Sequence, residues 1–92
     1  MEMFGFNERI AFCEAKGLRE VFAAYAENCP CEYIEMVGFN PNSGYVYIAL
    51  DNGIQIGSYL GQRVEFIVMD FETGEESFFD SYFLANNFLA EV

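Results

Sequence analysis

Between Glu32 and Phe79 no run of the chain exceeds about nine residues before it meets turn chemistry, and that spacing dictates short strands joined in a meander. The β-rich runs are Tyr33 to Phe39, Tyr45 to Leu50 and Arg63 to Phe71, with Glu76 to Phe79 as a final partner. Their separators are Asn40-Pro41-Asn42-Ser43-Gly44, Asp51-Asn52-Gly53 and Glu72-Thr73-Gly74-Glu75. Asn52-Gly53 signals a type I′ hairpin, in which both central residues take positive φ. Ile54-Gln55-Ile56 reads as a short returning strand, and Gly57 and Gly61 bracket a loop after it. The sheet therefore has four or five antiparallel strands.

Period-two alternation divides the strand residues between two faces. Val46, Ile48 and Leu50 fall on one side and Tyr45, Tyr47 and Ala49 on the other; Val64, Phe66 and Val68 oppose Arg63, Glu65, Ile67 and Met69. The first set in each strand is suited to packing on helices. The second set mixes aromatic, aliphatic and acidic residues, and is either covered by the C-terminal helix or free as a contact surface.

Helical periodicity flanks the strands. Asn7 is a candidate cap before Glu8-Arg9-Ile10, and Leu18, Val21, Phe22, Tyr25 and Cys29 form an amphipathic stripe that stops before Pro30. Gly17 interrupts the pattern, so two helices meet there or one helix runs through at a cost of about 1 kcal/mol relative to alanine. At the other end Asp80 or Ser81 caps a short helix with Leu84, Ala85, Phe88 and Leu89 on one face. The expected fold is α+β: an N-terminal helix or helix pair, the antiparallel sheet, and a short C-terminal helix. At 92 residues, residues 1–92 form a single domain.

Fifteen acidic and four basic residues with no histidine give a net charge of −11, while 53% hydrophobic content is too high for a disordered acidic tail. Direct nucleic-acid binding is disfavoured, because phosphates must be met by Lys and Arg. Anionic lipid surfaces would repel the chain. The longest apolar runs fall far short of the roughly 20 residues that span a bilayer, and Met1-Glu2-Met3-Phe4 lacks a basic leader, so a cytoplasmic setting with reduced thiols is expected.

No arrangement of catalytic groups is recognisable, and we expect neither an enzyme nor a cofactor. Ser58 in Gly57-Ser58-Tyr59-Leu60-Gly61 stands one position early for a nucleophile elbow, and phosphate-binding glycine loops are missing. Cys29-Pro30-Cys31 would need Cys13 as a further metal ligand, but on a straight helix Cys13 lies roughly 24 Å from Cys29. No metal site is expected. The acidic run from Asp70 to Glu76 has its glycine one place early for a calcium loop and Ser81 where the bidentate glutamate belongs, which leaves a charged hairpin turn.

Charge is distributed unevenly. Residues 20 to 92 hold twelve acids and one base, Arg63, which assigns the surplus to the sheet, its loops and the last helix. Asp70, Glu72, Glu75, Glu76 and Asp80 crowd into eleven positions, and Tyr45 and Tyr47 stand with Glu35 and Glu65 on the outward face. Carboxylates beside tyrosines form a surface suited to a basic partner. These nine residues are the candidate binding site.

In size, charge and lack of catalytic groups the chain resembles the small acidic inhibitors encoded by phages and plasmids, the antirestriction and anti-CRISPR class, several of which mimic DNA. That resemblance implies a module that occupies a basic nucleic-acid-binding surface of a protein or complex. The alternative is a structural domain or homodimer joined through its apolar sheet face, with the acids serving solubility.

Overall fold

A computed structural model describes residues 6–60, 62–70 and 72–91, with side chains from residue 14 onward. It contains α1 (Phe6–Asn28), β1 (Ile34–Asn40), β2 (Tyr45–Leu50), β3 (Ile54–Tyr59), β4 (Val64–Met69), β5 (Glu76–Phe79) and α2 (Tyr82–Ala90). The strands form one antiparallel sheet in the order β1-β2-β3-β4-β5, so the architecture is the expected α+β fold with five strands.

One helix, not two, spans the N-terminal segment. It passes through Gly17 unbroken because the glycine faces the sheet, where a Cβ would collide with the Val46 side chain. Loss of helix propensity there is the cost of a close helix–sheet approach. Asn7 lies inside the helix rather than at its cap, since Phe6 is already helical. The buried side of α1 carries Val21, with Cys29 just past its end and Ala24 and Tyr25 packed alongside; Phe22, assigned to this stripe by spacing, is 41% exposed. The Tyr25 hydroxyl donates across the turn that follows, to the Glu32 and Pro30 carbonyls. The Cys13 side chain lies outside the described residues.

One strand assignment and one turn change. Gly57, Ser58 and Tyr59 belong to β3 instead of a loop, with Gly57 opposite both Tyr47 and Glu65. Ser58 is buried on the helix side and its hydroxyl donates to the Gln62 carbonyl at 2.8 Å. The turn after β2 is not type I′, because Gly53 takes positive φ (97°) while Asn52 does not. Asn52 instead accepts a hydrogen bond from the Ile54 amide at 3.0 Å and donates to the Tyr82 hydroxyl at 2.9 Å. β4 is described over Val64–Met69; Phe71 and Gly61 lie outside the described residues.

Both helices pack on the same face of the sheet. The core joins Ile48, Leu50, Ile54, Ile56, Phe66 and Val68 to Val21 and Cys29 from one helix and to Ala85 from the other. α1 lies mainly over β2 and β3 and α2 over β4 and β5, so the two share the inner row and neither described helix covers the opposite face. α2 starts at Ser81, whose side-chain oxygen accepts from the Leu84 amide at 3.2 Å. Its inward residues are Tyr82, Ala85 and Leu89, at i, i+3 and i+7. Leu84 and Phe88, expected on that face, flank it and are 49% and 39% exposed.

Candidate functional site

Strand register builds the open face row by row. Met36, Ala49, Gln55, Ile67 and Phe78 are aligned across all five strands, which at a strand spacing of about 4.8 Å makes a row roughly 19 Å wide. The next row is Gly38, Tyr47, Gly57 and Glu65, and the next Asn40, Tyr45 and Tyr59. Met69 and Glu76 pair at the opposite end of the face.

Two glycines seat the tyrosines. A Cβ at Gly57 would run into the Tyr45 ring, and one at Gly38 into the Tyr47 ring, so both rings lie flat along the sheet. They stack with centroids 5.9 Å apart and planes 25° from parallel. The Tyr45 hydroxyl accepts from Gln55 Nε2 at 2.9 Å, and Tyr47 Oη lies 3.4 Å from Met36 Sδ. Side chains held this way lose little conformational freedom when a partner covers them.

The carboxylates on this face act on the same atoms. Burial raises the Tyr45 hydroxyl above its ordinary pKa; the Gln55 hydrogen bond works against this, and Glu76 and then Glu65 add to the rise. A field from β4 and β5 thus reaches a side chain on β2. Glu35 stands where the β1 register shifts between Ile34 and Met36, and with Glu76 it lines a hollow of about 140 Å³ that includes Ala49, Gln55, Ile67 and Met69. The structure therefore brings together Glu35, Tyr45, Tyr47, Glu65 and Glu76.

The hairpin acids lie elsewhere, and Asp80 stands apart from them, beside Glu65. Asp80 is at the opposite end of β5 from Glu76, about 13 Å away along an extended strand, where Arg63 Nη2 lies 2.9 Å from its carboxylate and 3.5 Å from that of Glu65. Crowding along the chain is undone by extension in space. Asp70, Glu72 and Glu75 sit at the β4–β5 turn, which Asp70 braces: its side chain accepts from the Glu72 amide at 2.9 Å, and its carbonyl from the Gly74 amide at 2.7 Å. These three carboxylates line a separate cleft of about 580 Å³ against Val68, Phe88 and Leu89 on the helix side of the sheet.

The charge map differs from the sequence expectation in one further respect. Glu20 and Glu27 lie on α1, and Tyr82–Ala90 contains no charged residue, so the surplus is not carried by the last helix. Sequence reasoning also missed three exposed apolar members of the open face, Met36 (52%), Tyr59 (51%) and Phe78 (55%), while Met69 (39%) is where alternation placed it. Extending the alternation from Gln55 through Gly57 to Tyr59 is the signal that would have found Tyr59.

Buried Cys29 is pushed up to about 11 by burial and the nearby Glu32 carboxylate, which keeps its thiol protonated and unreactive at neutral pH. Cys31 is exposed and free. Among the described residues, no group of three His, Cys, Asp or Glu side chains could hold a metal ion, and no described helix is long and apolar enough to cross a membrane. No protein-family model, curated protein or solved structure matches the chain.

Proposed function

We propose that this chain is an acidic protein-binding module whose open sheet face occupies a basic, nucleic-acid-binding surface of a partner protein, acting as an inhibitor by binding rather than by catalysis. The observation that carries the reading is a sheet face bearing seated, stacked tyrosines together with the carboxylates of Glu35, Glu65 and Glu76. Carboxylates fixed on strands meet Lys and Arg without the ordering entropy a flexible acidic tail would lose. The exposed Met36, Tyr59 and Phe78 supply apolar contact area among the charges.

Self-association through the same face is the second reading, favoured by those exposed apolar residues. A two-fold interface would bring the same acidic patch of two copies together, and the repulsion works against it. A basic partner gains from the field that a second copy must overcome.

The test is capture of nucleic-acid-binding proteins on the immobilised chain, eluted across a salt gradient and challenged with duplex DNA and with RNA. Retention should fall at least about tenfold between about 50 and about 200 mM salt, and nucleic acid should displace the chain. Combined Glu35→Lys, Glu65→Lys and Glu76→Lys should abolish capture. Salt-independent retention, or light scattering that shows a stable dimer at low protein concentration, would count decisively against the proposal.

A further inference from the structure

We infer that the cleft between α2 and the β4–β5 hairpin is a second docking site, for an exposed segment of a partner protein in which one large apolar side chain is flanked by Lys or Arg. The cleft opens on the helix side of the sheet, and of its lining residues Met69 alone also lines the hollow of the open face. Its volume, about 580 Å³, falls within the range of clefts that hold a ligand.

Apolar and acidic groups are segregated within it. Val68, Phe88 and Leu89 form the floor. Val68 is buried in the core, whereas Phe88, which packs against Phe79 with ring centroids 5.3 Å apart, keeps 39% of its surface in solvent. Asp70, Glu72 and Glu75 form the rim. An apolar side chain resting on Phe88 and Leu89 removes both surfaces from water, while its neighbours in the chain reach the carboxylates.

Helix polarity favours the same ligand charge. Phe88 and Leu89 occupy the last turn of α2, which carries no basic residue, so the carbonyl end of the helix adds negative potential to that of the rim. Arg63, the one base beyond residue 20, is at the other end of β4, paired with Asp80 and Glu65. A cation is therefore required of the ligand. A neutral apolar segment would leave the rim unused, and a purely basic one would leave the floor wet.

The experiment uses the full ¹⁵N-labelled chain titrated with three peptides: acetyl-Arg-Leu-Arg-amide, acetyl-Arg-Gly-Arg-amide and acetyl-Gly-Leu-Gly-amide. The first should give saturable amide shifts centred on Val68, Ser77, Phe88 and Leu89, and the other two should bind at least about tenfold more weakly. Combined Glu72→Lys and Glu75→Lys, both at exposed positions, should remove the shifts without altering the rest of the spectrum. Phe88→Ala should weaken binding as well. Equal binding by the glycine-centred peptide, equal binding by the uncharged one, or no saturable shift at the cleft would each overturn the inference. Shifts confined to Tyr47, Gly57 and Glu65 would overturn it while leaving the open-face proposal intact, which keeps the two outcomes distinguishable.

Discussion

The Tyr45 ring rests on the backbone of Gly57 and is anchored there by the amide of Gln55, two residues earlier on the same strand. A missing side chain on β3 is thus replaced by one from β2. Gly57→Ala should lift the ring and destabilise the protein by about 1–3 kcal/mol, the range for inserting a methyl group into filled space. With Tyr45→Ala in the same chain the second loss should shrink, giving a coupling of about 1 kcal/mol by urea denaturation. Additive losses would mean that the ring and the glycine are independent.

Gly17 offers a comparison in which propensity and packing oppose each other. Alanine improves the helix by about 1 kcal/mol, but its methyl would meet a Val46 side chain that is fully buried. Overpacking of about 1–3 kcal/mol outweighs that gain. Gly17→Ala should therefore lower the urea midpoint, and the same substitution should cost less in a Val46→Ala background. A stabilised Gly17→Ala variant would show that α1 sits farther from β2.

Alkaline pH should reveal Cys29. Its thiol is held at about 11 in the fold against an ordinary 9.0, so the folded state keeps the proton that the unfolded chain gives up first. Its contribution to stability is complete below about pH 9 and is lost as pH rises from about 9 through about 11. Unfolding free energy should fall across that window, and the fall should be smaller in Cys29→Ala. An identical slope in both proteins would remove Cys29 from the alkaline transition.

Arg63 contributes to charge more than to stability. Its partners Asp80 and Glu65 are solvent-accessible, and exposed pairs of this kind are worth roughly 0.2–1 kcal/mol. Arg63→Ala should change the thermal midpoint little while making the open face more negative, which should speed association with a basic partner at low salt. A large loss of stability would mean that Arg63 holds the ends of β4 and β5 together.

The elements themselves were largely legible because their signals are local. Val46, Ile48 and Leu50 alternate as an inward row should, and Ser81 stands where a helix cap belongs. Gly57 was misread because alternation is a pattern of side chains, and the ring that fills its place comes from ten or more residues away in the chain. The side taken by α2 was equally hidden. Two short residues, Asp80 and Ser81, reverse the chain, and their identities do not specify which face it returns to. The open-face part of the site is legible in the parity of Glu65, Tyr45 and Tyr47, whereas Glu35 shares the parity of inward Val37 and Phe39 and reaches the face only through the register shift in β1. Asp80 groups with the hairpin acids in sequence, but proximity in sequence is not proximity along an extended strand.

A strand order that follows the chain without a crossover bears on how the molecule reaches its folded form. Each hairpin closes over a short connection, at a small entropic cost, before any distant segment must be found. Docking of α1 comes under a different constraint, because its partners on β2, β3 and β4 lie far downstream. During synthesis, a ribosome-bound chain would therefore expose an amphipathic first helix until most of the sheet had emerged.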